Sequence, residues 1–242
     1  MTLEHEMQYR SERQERWNNA AQYEEYSIQA IVAKIQRLDT NNEIKNISYE
    51  RYDKKWLNEN IEWTKGCPDY KVKIEFTSEQ VLLFEVKIKN KEFLKTLTGG
   101  ATRNGSVVPN YGCTSYYLDV EPVYKNMNDF CINTKISSNS FVIAFVKAPN
   151  TNQENTEIRV ISLAKLNYLL QHNNGNKEWN NQPICYFKEG YGQGTYLIPK
   201  TATTDLDKLT IVDIQKMTMS AESFNNIESV IEAPKPRKHH RR

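Results

Sequence analysis

Two short apolar runs joined by a polar turn constrain this chain more than any other feature. Residues 70–76 read Tyr-Lys-Val-Lys-Ile-Glu-Phe and residues 81–88 read Val-Leu-Leu-Phe-Glu-Val-Lys-Ile. Runs of this length and composition pair as a hairpin of strands. Residues 81–86 are apolar apart from Glu85, as expected of a strand buried on both faces. Residues i and i+2 of a strand share a face. Glu85 and Lys87 therefore point the same way as Val81 and Leu83, and Phe84, Val86 and Ile88 point the other way. Glu and Lys are rarely fully buried unless paired. Either this pair is a solvated strand end, or something binds there. Asp69 adds a second carboxylate at the entrance of the first strand. The two acids could hold a divalent cation, and the lysine could stabilise a developing anion or orient a water.

The wider segment is Cys67-Pro68-Asp69, then fifteen intervening residues, then Glu85-Val86-Lys87. It resembles the PD-(D/E)XK nuclease superfamily, which includes many type II restriction endonucleases, archaeal-type Holliday junction resolvases and lambda-type exonucleases. The resemblance covers residues 68–87 directly and about 10–215 more loosely. The spacing alone is a common pattern. Its weight comes from Asp opening one apolar strand and Glu-X-Lys closing the next. The resemblance implies a restriction-endonuclease-like α/β core, with a central mixed sheet of four or five strands flanked by helices. It implies that Asp69 and Glu85 ligate Mg²⁺ or Mn²⁺, that the Val86 carbonyl adds a ligand, and that Lys87 assists the attacking water. It also implies DNA as substrate, a homodimer, and an acid from the first helix at the metal; Glu24 and Glu25 are both candidates, Glu25 being the one carried into the ligand set.

Such a constellation suits phosphodiester hydrolysis. The substrate is already anionic and repels hydroxide, so charge must be neutralised and a water activated in line; a divalent metal does both. No competing site is apparent. The four His are His5, His172, His239 and His240, with no metal-ligand pairing near the motif, and there is no P-loop, GxSxG or GxGxxG. The expected function is a metal-dependent deoxyribonuclease of restriction, defence or phage-recombination type. The alternative is a non-catalytic nucleic-acid-binding or interaction protein that keeps the fold. The intact Asp69, Glu85 and Lys87 favour the first.

The 242 residues suit one α/β domain, expected over 1–230, with 231–242 as a tail. Only 38% of the residues are hydrophobic, but 14 Tyr, 8 Phe and 4 Trp supply bulky core material. No run of about 18 apolar residues suggests a membrane span, and the charged N-terminus lacks a secretory h-region. Cys67, Cys113, Cys131 and Cys185 lie far apart without zinc-type spacing, as reduced thiols of a cytoplasmic protein would.

Along the chain, apolar residues at three- and four-residue steps predict a helix from Trp17 to Leu38, ended by Asp39-Thr40-Asn41-Asn42. A first strand is expected near 44–52. Residues 89–115 read as a long loop, or a short helix plus loop. Its cations, together with the end of the motif strand, form a local basic patch: Lys89, Lys91, Lys95 and Arg103, candidates for the DNA backbone. An ordinary surface loop is the competing reading. Residues 116–130 suggest a helix with Pro122 near its first turn. Strands are expected at 141–146, 157–161 and 193–199. Ser162 reads as the N-cap of a helix over 163–171, and 205–216 as the last helix, with periodicity lost from 220 onward.

The formal net charge is +2, yet residues 231–242 alone carry five Lys and Arg against Glu232, a net +4. The remainder is thus about −2, and any electrostatic footprint must be local. The tail is either a dispensable terminus or an arm that touches phosphates. If it is an arm, truncation after Ile231 weakens DNA binding at low salt and flattens the slope of log K against log salt by roughly two to four units, at about 0.9 per phosphate. Salt titrations of both chains with the metal site disabled measure this; superimposable slopes would exclude the contact.

Overall fold

A computed structural model describes residues 22–53, 66–89, 102–103, 106–107, 115–147, 156–172, 185–188 and 194–232. The expectations for residues 1–21, for most of the 89–115 loop, for the loop at 173–176 and for the tail beyond 232 lie outside these. Helix α1 spans 22–38, and the Asp39 carboxylate then accepts the Glu43 and Ile44 N–H groups, both at 2.8 Å. β1 is Asn46–Arg51, β2 Tyr70–Glu75 and β3 Glu79–Lys89. A two-stranded ribbon follows, β4 at Thr102–Arg103 and β5 at Ser106–Val107. Then come β6 (Ser115–Asp119), a π-helical stretch at Val120–Lys125, α2 (Asn126–Thr134), β7 (Phe141–Lys147), β8 (Ile158–Ser162) and α3 (Leu163–His172). The chain continues with β9 (Cys185–Lys188), β10 (Gly194–Pro199), β11 (Thr204–Asp205), α4 (Ile211–Met217), β12 (Met219–Ser220) and α5 (Ala221–Glu232).

The architecture is α/β: a mixed, mostly antiparallel open sheet with helices on both faces. Its order is β1-β2-β3-β7-β8-β11, and β12 pairs with the start of β3. The sheet is wider than the four or five strands expected. The added members β11 and β12 are two-residue strands, too short to leave a periodic signature. Among the described strands only β3 and β7 run parallel, joined through a crossover that contains α2. β6, β10 and β9 form a separate antiparallel sheet.

β3 is the central strand, and its alternation divides the core. Leu82, Phe84 and Val86 pack with Ile28, Ile31 and Ile35 of α1 and with Ile211 and Ile214 of α4. Val81 and Leu83 pack on the opposite face with Met127 and Phe130 of α2, Leu163 and Leu166 of α3, and Phe224 of α5. β7 is buried over its first six residues, as its unbroken apolar run predicts.

Two expected helices are corrected. Residues 115–119 are a strand, because the two-residue alternation that buries Tyr116 and Leu118 outweighs the helical spacing of the apolar positions. Helix begins only at 120, so Pro122 falls in a first turn, where its missing N–H costs nothing. The helix expected over 205–216 is a 3₁₀ turn at Leu206–Lys208 followed by α4, which starts at a capping box between Thr210 and Asp213. Nor is it the last helix, since α5 lies in the stretch read as aperiodic. Ser162 does cap α3, accepting the Lys165 N–H at 3.2 Å. No helix among the described residues is long and apolar enough to cross a membrane.

α5 is seated by Phe224, which is fully buried with its ring 5.9 Å from that of Tyr52. Phe224→Ala should destabilise the protein by about 3–5 kcal/mol, measured by urea unfolding. A change below ~0.5 kcal/mol would mean that this segment does not dock.

Candidate functional site

β2 and β3 pair from Glu75↔Glu79 to Tyr70↔Phe84, and there the ladder stops. The Leu83 N–H donates toward β7, to Ser140 O at 2.9 Å. By alternation the N–H and C=O of Phe84 and Val86 face the β2 side. For Val86, two residues past the last pair, the Asp69 carboxylate substitutes for a backbone partner: its Oδ2 accepts the Val86 N–H at 2.8 Å. The Val86 carbonyl points past the end of the same ladder. Asp69 is fixed from the other side too, because its carbonyl accepts the Tyr52 N–H at 2.9 Å.

Glu85 and Lys87 share a face, as the period of two requires, and the Lys87 ammonium donates to Glu85 Oε1 at 2.6 Å. The Glu85 side chain is 11% exposed and that of Lys87 32%. The three motif residues are thus brought to one end of one hairpin. Burial, then the Glu85 charge, push the Asp69 carboxyl well above the usual carboxylate range, against the pull of Lys87 and of the Val86 N–H. For Lys87, burial works to lower its basicity, but the carboxylates of Glu85 and Asp69 outweigh it and the net shift is upward. The ammonium therefore stays charged. Cys67 is buried beside the site; burial, with Asp53 and Glu85, pushes its thiol up to about 12. It remains a thiol at neutral pH and is a poor nucleophile.

The two acids of α1 separate. Glu25 accepts from the Tyr49 hydroxyl at 2.8 Å and from the Tyr70 hydroxyl at 3.3 Å. Both tyrosines pack on the α1 face of the sheet, whereas Glu85 and Lys87 alternate to the opposite face. Glu24 instead meets Arg51 Nη2 at 2.9 Å, and its charge acts on both Asp69 and Lys87. Helical spacing does not separate these neighbours; their side-chain partners differ. Among the expected phosphate contacts, Lys89 ends β3 and Arg103 lies in β4, while Lys91 and Lys95 fall outside the described residues.

No family model, curated protein or solved structure matches the chain. The site is therefore judged on its own geometry. Among the described residues no group of three or more His, Cys, Asp or Glu is placed to hold a metal. Asp69, Glu85 and the Val86 carbonyl offer two carboxylates and a hard neutral oxygen. That set fits Mg²⁺ or Mn²⁺, which keep several waters and take one or two carboxylates. It does not fit a soft, tetrahedrally bound metal.

Sequence reasoning passed over two cations beside the motif. Arg51 at the end of β1 bonds Asp53 as well as Glu24. Lys71, 3% exposed, pairs with Glu50, and its ammonium lies 5.4 Å from the Tyr52 ring centre and 5.1 Å from that of Phe224. Glu50 and Lys71 face each other in the β1–β2 register, so only knowledge of that register could have paired them.

Asp69 also sets a pH dependence. Its carboxyl is higher in the folded chain than its unfolded value of about 3.9, so the stability it contributes is present below that pH and is lost as pH rises through the folded value. In EDTA, Asp69→Asn should remove that loss while keeping an oxygen for the Val86 N–H. The variant is expected to have the higher Tm at pH 7, with the difference shrinking toward pH 4. Thermal melts from pH 4 to 8 test it; parallel curves for the two proteins would refute it.

Proposed function

We propose that this chain is a Mg²⁺- or Mn²⁺-dependent endonuclease that hydrolyses phosphodiester bonds of DNA, with a restriction-endonuclease-like core. The observation that carries the reading is the meeting of Asp69, Glu85 and Lys87 at the open end of the β2–β3 hairpin, with the Asp69 carboxylate and both polar groups of Val86 on the same ladder end. A divalent ion there would supply charge neutralisation and an acidified water. The chain's own groups do the rest. Asp69 and Glu85 offer carboxylate oxygens at a seat where, without a cation, the Glu85 charge opposes ionisation of Asp69. Lys87, held by Glu85 and kept charged, sits where it can orient a water toward phosphorus and stabilise the equatorial charge of the transition state. Glu85 and Lys87 are fixed on β3, and Asp69, in the turn before β2, is held by its bonds to the Val86 and Tyr52 N–H groups, so the three groups stay within narrow geometric limits. Cleavage of both strands of a duplex would take two such sites, which a homodimer provides.

Incubation with plasmid DNA should give nicked or linear product with Mg²⁺ or Mn²⁺ and none in EDTA, with Ca²⁺ able to bind without supporting turnover. Asp69→Ala, Glu85→Ala and Lys87→Ala should each lower the rate by roughly 10²–10³-fold or more while the far-UV CD spectrum is kept. Wild-type rates in Glu85→Ala, or undiminished cleavage in EDTA, would sink the reading.

A further inference from the structure

Phe224 of α5 is packed against the strands that carry the site, and the reaction as described does not use it. Its ring lies 5.9 Å from that of Tyr52, at an interplanar angle of 55°. The Lys71 ammonium sits over both rings, 5.4 Å from the Tyr52 centre and 5.1 Å from the Phe224 centre. Both rings are fully buried, and Lys71 is 3% exposed. An ammonium is rarely so buried unless other groups replace its water. Two aromatic faces and the Glu50 carboxylate contribute to that here. One cation thus ties a ring at the end of β1 to a ring on α5.

Tyr52 and Lys71 flank Asp69. β1 ends at Arg51, which pairs with Tyr70. Tyr52 is the next residue, and its N–H donates to the Asp69 carbonyl at 2.9 Å. Lys71 lies two residues beyond Asp69, on β2. Tyr52 is past the end of its strand, so the packing of its ring bears on where its backbone sits. The Asp69 carboxylate is held on its other side by the Val86 N–H. A shift of Tyr52 therefore pulls on Asp69 from the carbonyl side. We infer that Phe224 and Lys71 are positioning residues: through the Tyr52 ring they hold the Tyr52 N–H where it seats the Asp69 carboxylate against β3. The inference rests on the nuclease reading for its effect on catalysis, though the contact itself does not. It makes α5 part of the support of the site without touching substrate or metal. Filling the core and positioning Asp69 can be separated. Leucine in place of Phe224 keeps an apolar side chain under α5 but offers the ammonium no ring face. Methionine in place of Lys71 keeps an unbranched stem but no charge to bridge the rings.

The test uses the full chain and its Phe224→Leu and Lys71→Met variants, at a temperature where far-UV CD shows all three folded. Amide hydrogen exchange is followed in EDTA without DNA. Mn²⁺ binding is then titrated, and kcat and KM for plasmid cleavage are measured. The reporters are the Tyr52 and Val86 N–H groups, both bonded to Asp69, against the Val142 and Ala144 N–H groups within β7. Both variants should speed exchange at Tyr52 and Val86 about three- to tenfold more than at Val142 and Ala144, the size of an aromatic or cation–π contact. A loss of overall stability alone would raise the β7 pair at least as much. Mn²⁺ binding should weaken and kcat fall by a similar factor, with KM for DNA within a factor of about two. Should Phe224→Leu not fold, the comparison is read on Lys71→Met. Exchange at Tyr52 and Val86 that rises no more than at the β7 pair would overturn the inference, as would wild-type Mn²⁺ affinity and kcat in both variants. A wild-type chain that neither binds Mn²⁺ nor cleaves, with exchange at Tyr52 and Val86 still raised in the variants, would instead remove the nuclease reading and leave the positioning contact standing.

Discussion

The bond from the Val86 N–H to the Asp69 carboxylate is the interaction on which the arrangement of the site depends. A sheet ladder ordinarily ends with water or a loop taking the next N–H. Here a side chain takes it, at 2.8 Å. That choice fixes the Asp69 carboxylate against β3, one residue from Glu85. It also leaves the polar edge of Val86 turned toward the gap where β2 has ended. The approach to Asp69 is equally confined. A Cβ on Gly66 would lie 1.9 Å from the Asn126 carbonyl oxygen at the start of α2. Only glycine allows the chain to pass there, so the crossover helix and the turn into β2 are in backbone contact. The seat of Asp69 is thereby built from three sequence-distant pieces: β1 through Tyr52, β3 through Val86, and the start of α2 through Gly66.

Much of this was legible because the period of two is strong where a strand is buried on both faces. β2, β3 and β7 follow from their apolar runs, and the shared direction of Glu85 and Lys87 follows from their spacing. What failed had competing physical signals. Residues 115–119 carry apolar side chains at spacings that satisfy a helix and a strand at once, and burial of Tyr116 and Leu118 decided for the strand. The stretch from 220 onward looked aperiodic because α5 meets the core mainly through Ala221 and Phe224 among its described side chains. Cross-strand partners were invisible for a different reason. The matching of Glu50 with Lys71 depends on register, which a single strand does not carry in its own pattern.

The charge arrangement explains why the site was only half visible. The motif names three residues, but Glu24, which bonds Arg51, also acts on Asp69 and Lys87. Holding the charges of Glu85 and Lys87 at a partly buried strand end is costly for a folded chain. Such a cost has to be offset by packing elsewhere. The core on both sides of β3 supplies that packing.

The placement of β12 has a consequence for the order in which the molecule assembles. β3 has two edges. β2 lines one; the other is shared, with β7 pairing from Leu83 onward and β12 covering Gln80 and Val81. The Thr218 hydroxyl and Gln80 that approach each other at this junction are 138 residues apart in the chain. Until Met219 and Ser220 arrive, the first half of the innermost strand keeps an exposed edge beside an apolar face. A growing chain leaving the ribosome therefore carries an unfinished central strand through most of its synthesis, and closing it is a late, long-range event. In such a molecule the interval between making the hairpin and making its last partner is the period of greatest exposure to intermolecular strand pairing.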